Sequence, residues 1–170
     1  MRMNICSIGK QPSQLWKTVA SFLILAVATV IFPGSIRAAD HPTKDQVTKF
    51  VQEGVEYIKK NGKEAFFKES TTGTSFKRDE LYFYAYDFNC ICLAHGAKPA
   101  LVGKDLSDMI DVKQTKVIQA LRDEAKKGKG WVTFYWQNPT TKKVEKKLGY
   151  VEKVDDTFWI GSGTYDPNAD

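Results

Sequence analysis

The spacing of three apolar segments near the C-terminus constrains this chain more than any other feature. Trp131 to Trp136, Val144 to Val154 and Phe158 to Tyr165 are rich in aromatic and β-branched residues, and short connections with Asn138-Pro139-Thr140-Thr141 and Asp155-Asp156 as their turns separate them. Connections that short cannot carry a crossover, so these three strands must pair antiparallel. Upstream, Leu81-Tyr82-Phe83-Tyr84-Ala85-Tyr86 and Cys90 to His95 flank Asp87-Phe88-Asn89, which reads as a second hairpin with a polar corner. Alternation puts Tyr82, Tyr84 and Tyr86 on one face and Leu81, Phe83 and Ala85 on the other, so both faces need a cover.

Helical periodicity supplies the covers. Val47, Phe50, Val51, Val55 and Ile58 recur at spacings of three and four after Thr43, a fair N-cap, with Asn61-Gly62 as the stop. A short helical turn is expected around Ala65 to Phe67, followed by a loop from Ser70 to Ser75. Val117, Ile118, Leu121 and Ala125 predict a second helix ending at Gly128 and Gly130, and Gly96 to Leu106 reads as a connecting loop. The order helix, two strands, helix, three strands predicts an α+β domain: an N-terminal helix packed on a central antiparallel sheet of about five strands.

The 170 residues carry 25 Lys and Arg against 20 Asp and Glu, an excess that looks like a nucleic-acid footprint until it is located. Arg2, Lys10, Lys17 and Arg37 precede Ala39 with no acidic residue among them, and without these four the remainder is nearly neutral. A nucleic-acid partner is therefore not expected. The basic residues instead flank an uncharged run, Thr18 to Phe32, followed by Pro33-Gly34 and by the small residues Ala38 and Ala39. That is the layout of a signal peptide, shorter than the roughly 18 to 20 apolar residues of a stable membrane span. Residues 1–39 are read as a signal peptide, or an uncleaved N-terminal anchor, and 40–170 as one exported domain. Cleavage is possible after Ala38 or after Ala39, and contact with the membrane is expected only through an uncleaved N-terminus.

Cys6 would leave with the signal, so the exported body keeps Cys90 and Cys92. Two residues apart in an expected strand, they read as small buried apolar groups, with a strained disulfide or a soft-metal pair as the alternative. Regular alternation places His95 on the face opposite both, which leaves a Cys–His nucleophile without geometry. The chain has no phosphate-cradling glycine motif, no two-Cys zinc pattern and no haem-attachment motif. Asp108 with Asp111, and Asp155-Asp156, are ordinary turn acids. No enzymatic activity, metal or cofactor is expected.

A set of short motifs then occurs in order: Leu81-Tyr82-Phe83-Tyr84-Ala85-Tyr86-Asp87, Leu93-Ala94-His95-Gly96, Leu101-Val102-Gly103-Lys104-Asp105-Leu106, Gly130-Trp131-Val132, Tyr135-Trp136, Asn138-Pro139, Lys147 with Tyr150-Val151, and Gly161 to Tyr165. From Leu81 to Asp166 this order resembles the single Cache domain. The resemblance implies an extracytoplasmic, PAS-like sensor fold enclosing a small-ligand pocket, and ligands such as acetate, propionate, pyruvate or lactate. It also implies kinship with chemoreceptors and sensor kinases. Two positions depart from the family pattern: Cys90 stands where the turn usually has Gly, and Phe134 where a Tyr commonly precedes the strand Trp by two. The sequence stops at Asp170, just past the last strand, so the domain is expected to act without its own output domain.

A pocket for a small organic acid needs a cation or N–H donors and an aromatic wall, because a desolvated carboxylate without partners is costly. Lys147 is the leading cation, a choice the resemblance supports, with His95 as a neutral donor or, when protonated, a source of pH dependence. Trp136 and Tyr150, which the resemblance favours, and Tyr84, Tyr86, Trp131 and Tyr135 are the aromatic candidates for the wall. Regular alternation puts Tyr150 opposite Lys147, so the two share a pocket only across a bulge. The expected function is binding and sensing of a small organic acid, reported to a membrane sensor kinase or chemoreceptor. The alternatives are an interaction domain whose pocket is filled by its own side chains, and a redox or metal role for Cys90 and Cys92.

Overall fold

The computed structural model describes residues 41–165. The expected signal or anchor segment and Cys6 lie outside the described residues. Helix α1 (Lys44–Asn61) begins with a complete capping box: the Gln46 backbone N–H donates to the Thr43 hydroxyl at 3.3 Å, and the Thr43 N–H donates to the Gln46 side-chain carbonyl at 2.8 Å. Gly62, at φ 85°, ends it in a conformation that an L side chain rarely adopts. A second helix, α2 (Lys63–Thr72), follows at once. It is longer than the expected turn around Ala65 to Phe67, and Ser70, Thr71 and Thr72 are helical where a loop was expected. Burial of Phe66 against Phe83, with ring centroids 5.0 Å apart, holds this short helix in place.

A small hairpin of β1 (Lys77–Arg78) and β2 (Leu81–Tyr82) precedes the main sheet. The aromatic run is thus interrupted at Phe83, and its second half forms β3 (Tyr84–Asp87). Then come β4 (Cys92–His95), a single 3-10 turn (Pro99–Leu101), α3 (Val117–Lys126), β5 (Lys129–Gln137), β6 (Val144–Lys153) and β7 (Phe158–Thr164). The five-stranded sheet has the order β4-β3-β7-β6-β5, with every neighbouring pair antiparallel. The expected α+β architecture, a helix on an antiparallel sheet of five strands, is the observed one.

Two local departures reshape the β3–β4 hairpin. Cys90 is not a strand residue: it sits in the turn at φ 68°, the left-handed conformation that Gly adopts without cost. In the ladder Tyr84 pairs with His95, Ala85 with Ala94 and Tyr86 with Cys92, so Leu93 is an extra residue. This bulge reverses the alternation, and Cys92 and His95 share one face instead of lying on opposite faces.

The two faces bury separate cores. On one, Val47, Phe50 and Val51 of α1 and Phe66 of α2 pack on Phe83, Ala85, Ala94, Tyr150 and Ile160. On the other, Val117, Ile118, Leu121 and Ala125 of α3 pack over Tyr84, Tyr86, Phe134, Val151 and Trp159. Among the described residues no helix is long and apolar enough to cross a membrane. Contact between α1 and the sheet is closest at Gly54, where an added Cβ would lie 2.6 Å from the Phe83 ring. Gly54→Ala is therefore expected to lower stability by about 1–3 kcal/mol, although Ala favours a helix interior by about 1 kcal/mol over Gly. Chemical denaturation of both proteins measures the difference, and a stabilised variant would contradict this packing.

Candidate functional site

The face under α3 is not filled completely. Tyr82, Tyr84 and Tyr86 line one side of a cavity, at successive inward positions of the aromatic run. Phe134 and Trp136 of β5 form a second wall, Val117, Ile118 and Leu121 of α3 the roof, and His95 and Lys147 supply the nitrogen atoms. About 10 Å³ inside this lining is free, on the order of one water molecule, so its own side chains nearly fill it. A guest larger than water enters only if these side chains move apart. Glycines on β7 make room for the wall: an added Cβ at Gly161 would lie 2.5 Å from the Tyr84 ring, and one at Gly163 would lie 2.8 Å from Cε of Lys147.

Lys147 is 1% exposed. Its Nζ donates to Tyr82 Oη at 2.8 Å and to Tyr165 Oη at 3.4 Å. The Tyr82, Tyr165 and Tyr84 ring centroids surround it at 4.0, 4.7 and 5.5 Å. No carboxylate of the described residues comes within ion-pair distance of it. Burial pushes its pKa well below the usual lysine range, and the negative charge of Glu80 offsets this only in part. Glu80 is itself clamped: Asn138 Nδ2 donates to Oε1 at 2.6 Å, and His41 Nδ1 donates to Oε2 at 2.8 Å. The same Asn138 Nδ2 reaches Glu145 Oε2 at 2.7 Å, two residues before Lys147 on β6.

His95 accepts a hydrogen bond at Nδ1 from the Lys98 backbone N–H, 3.0 Å away, so the neutral ring carries its proton on Nε2. Its ring stacks on Tyr82 at 5.3 Å and on Trp136 at 6.1 Å. Burial, helped by Lys147 and Lys98, pushes its pKa down to about 3. A lowered pKa runs against the pH dependence expected from its protonation and leaves Nε2–H as the donor of an uncharged ring. Trp136 Nε1–H is buried and has no acceptor among the described residues, while Lys98 Nζ sits over the outside of the same ring at 5.1 Å. Two donors and a lysine amine therefore border a cavity that contains no anion of the chain itself.

Of the eight residues singled out from sequence, the fold brings Lys147, His95, Trp136, Tyr84 and Tyr86 to this cavity. Tyr150 and Trp131 are elsewhere: β6 is unbulged between Lys147 and Tyr150, so Tyr150 faces the α1 side, with Trp131 at 4.9 Å. Tyr135 is likewise outside, half-buried in a surface groove with Lys113 Nζ 5.9 Å from its ring. Tyr82 and Tyr165 were missed. Parity with Tyr84 and Tyr86 was the available signal for Tyr82, but for Tyr165, at the end of β7, there was none. Phe134 lines the cavity without the hydroxyl that the family commonly has there.

Cys90 and Cys92 are free and buried. Arg122 Nη1 donates to Cys90 Sγ at 3.7 Å, and Cys92 Sγ donates to the Ala94 carbonyl at 3.7 Å. Burial pushes the Cys92 thiol up to about 11, away from the reactive thiolate. Among the described residues no group of three or more His, Cys, Asp or Glu side chains is arranged to hold a metal ion.

The sequence profile of one family, Single Cache domain 2, matches residues 43–169. The chain belongs to this family. Cache domains are extracytoplasmic, ligand-binding sensor modules without catalytic function. A curated relative, the sensor histidine kinase MctS of Rhizobium johnstonii, is 33% identical over 85 residues, 49% of this chain and 18% of the kinase. The match thus spans under a fifth of that kinase's length. Among solved structures, a methyl-accepting chemotaxis protein from Vibrio parahaemolyticus shares 32% identity at a TM-score of 0.67, covering 75% of this chain and 90% of that one. A Cache chemosensory domain whose structure is described as a basis for carboxylic acid recognition shares the fold, at 23% identity and a TM-score of 0.61 over 72% and 92% of the two chains.

An uncompensated lysine inside the Cache domain has a measurable cost. In the unfolded chain the amine is charged up to its ordinary pKa, roughly 10.4, whereas the fold lowers that value, so the unfolded state binds more protons between the two. This contribution to stability rises with pH over that window. Lys147→Met, which fills a similar volume without charge, is expected to be at least as stable as the parent near neutral pH. Its advantage should shrink as pH approaches the ordinary lysine value, and denaturant titrations of both proteins over pH would reveal it.

Proposed function

We propose that this Cache domain is an exported sensor module that binds a small monocarboxylate in the cavity under α3. The observation that carries the reading is the burial of Lys147 among phenol rings with no carboxylate partner, an arrangement that an incoming anion completes. In the proposed complex one carboxylate oxygen takes the ammonium of Lys147, and the donors Trp136 Nε1–H and His95 Nε2–H serve the carboxylate from the wall. The tail lies against Val117, Ile118, Leu121 and Phe134. Those side chains offer no hydrogen bond, which favours short aliphatic acids over sugars and amino acids. Carboxylic acid recognition by one fold neighbour is consistent with this.

The uncharged run from Thr18 to Phe32 between Lys17 and Pro33-Gly34 supports export by a signal peptide, with the domain acting in the periplasm. Kinship with a sensor histidine kinase and a chemotaxis protein supports a membrane sensor as the partner that reads the bound state.

A thermal-shift panel tests the reading, with acetate, propionate, pyruvate and lactate set against amino acids, sugars and divalent metals. A ligand at about 100 times its dissociation constant should stabilise the domain by roughly 2.7 kcal/mol. Lys147→Met should remain folded and lose the shift. A folded parent that responds to none of the acids would overturn the assignment, and a response to copper or zinc alone would move it to Cys90 and Cys92.

A further inference from the structure

Lys147 faces two opposing demands. An anion needs it charged, yet the empty cavity surrounds it with phenols, indole, imidazole and aliphatic side chains, and its nearest hydrogen-bond partners are the neutral hydroxyls of Tyr82 and Tyr165. A desolvated ammonium without a counter-charge is costly enough that such a group gives up its proton instead. The three surrounding rings and Glu80 pull the other way, since ring faces and a nearby carboxylate both favour the ammonium. Burial is the larger of the two in the empty site, and an added negative charge beside the amine acts against it.

We propose that the domain takes up its carboxylate together with one proton, Lys147 passing from amine in the empty cavity to ammonium in the filled one, with Glu80 as the positioning residue that sets where on the pH scale this occurs. The inference rests on the monocarboxylate reading of the site and adds its regulation. In balance, an ionised acid and a solvent proton enter, and the filled site holds a carboxylate beside an ammonium, with no net charge added to the cavity.

The groups facing Lys147 leave it as the titrating partner. From β2 and β3, Tyr82, Tyr84 and Tyr86 have their pKa values raised by burial, as does Tyr165 after β7, so all remain neutral phenols. From β4, His95 stays neutral because its pKa is pushed down to about 3, and Cys92 stays a thiol because its pKa is pushed up to about 11. Phe134 and Trp136 of β5 and the α3 residues at the cavity carry no titratable group. Lys98 lies outside, over the far side of Trp136. Glu80 stands behind the hydroxyls, held by Asn138 and His41, and Glu145 shares Asn138 with it.

The sign follows from linkage. Because the bound anion raises the pKa of Lys147, affinity is greatest below the empty-site value and falls as pH rises toward the filled-site value. Across that window the dissociation constant grows about tenfold per pH unit. The window opens below the ordinary lysine range, because burial lowers the empty-site value. The domain would respond to acid load and to the anion as one signal.

Calorimetric titration of the intact protein with acetate and with propionate, from about pH 5 to about pH 10 and in buffers of different ionisation enthalpy, tests this directly. The expected result is an uptake of about one proton per site and a dissociation constant that rises with pH. Glu80→Gln should weaken binding at neutral pH and move the pH curve to lower values, a shift that a purely structural role of Glu80 would not produce. His41→Gln removes the histidine outside the cavity, and loss of the proton uptake in that variant would assign the proton to His41 and overturn the proposal. Binding with no proton uptake and a flat pH profile would overturn it while leaving the monocarboxylate reading intact. Absence of binding by either acid at any pH would remove both.

Discussion

A sheet that is apolar on both faces must be covered twice, and the way the second cover fits decides what this domain can do. Tyr82, Tyr84 and Tyr86 point one way and Phe83 and Ala85 the other, so neither face tolerates water. On the α1 side Gly54 lets helix and sheet approach until the Phe83 ring touches the helix backbone, and that interface closes. On the α3 side large phenols and indoles meet a short helix whose inward residues are aliphatic, and the fit leaves a small cavity of about 10 Å³. The cavity is thus a consequence of covering a strongly aromatic face with a ten-residue helix.

Into that cavity the chain places Lys147, which costs stability in the empty protein, and leaves Trp136 Nε1–H without an acceptor. Buried polar groups are normally paired, and it is this unsatisfied indole donor beside a lysine with no carboxylate partner that supports the proposed anion site. The surrounding phenols soften the cost without removing it. They hold the amine by hydrogen bonds and present ring faces to it, which keeps the ammonium within energetic reach. If the proposed binding holds, the site trades folding stability for a response to one kind of guest.

The link from the site to the rest of the chain runs through a few short polar contacts. Asn138, at the β5–β6 hairpin, joins Glu80 to Glu145, and Glu80 joins His41 ahead of α1. These contacts tie the strand that carries Lys147 to the residue where the described chain begins. Any change in the charge of Lys147 is felt by Glu80, and Glu80 holds both the hairpin and that first residue.

Antiparallel pairing was legible in the sequence because turn length is a local property: Asp155-Asp156 cannot span a crossover. The helices of the two covers were legible for the same reason, since period and caps reside in neighbouring residues such as Thr43 and Gln46. The sequence by itself therefore determined helices α1 and α3, the antiparallel hairpins and the aromatic character of both sheet faces. Only the tertiary structure decided which aromatic residues meet at the cavity. One extra residue, Leu93, turned Cys92 and His95 onto a common face, while the absence of a bulge in β6 sent Tyr150 away from Lys147. Tyr165 reached the lysine only because β7 lies beside β6, and α2 gained its length from the burial of Phe66 against a strand that follows it in the chain. Bulges and long-range neighbours depend on contacts between segments far apart in sequence, and no local pattern records them.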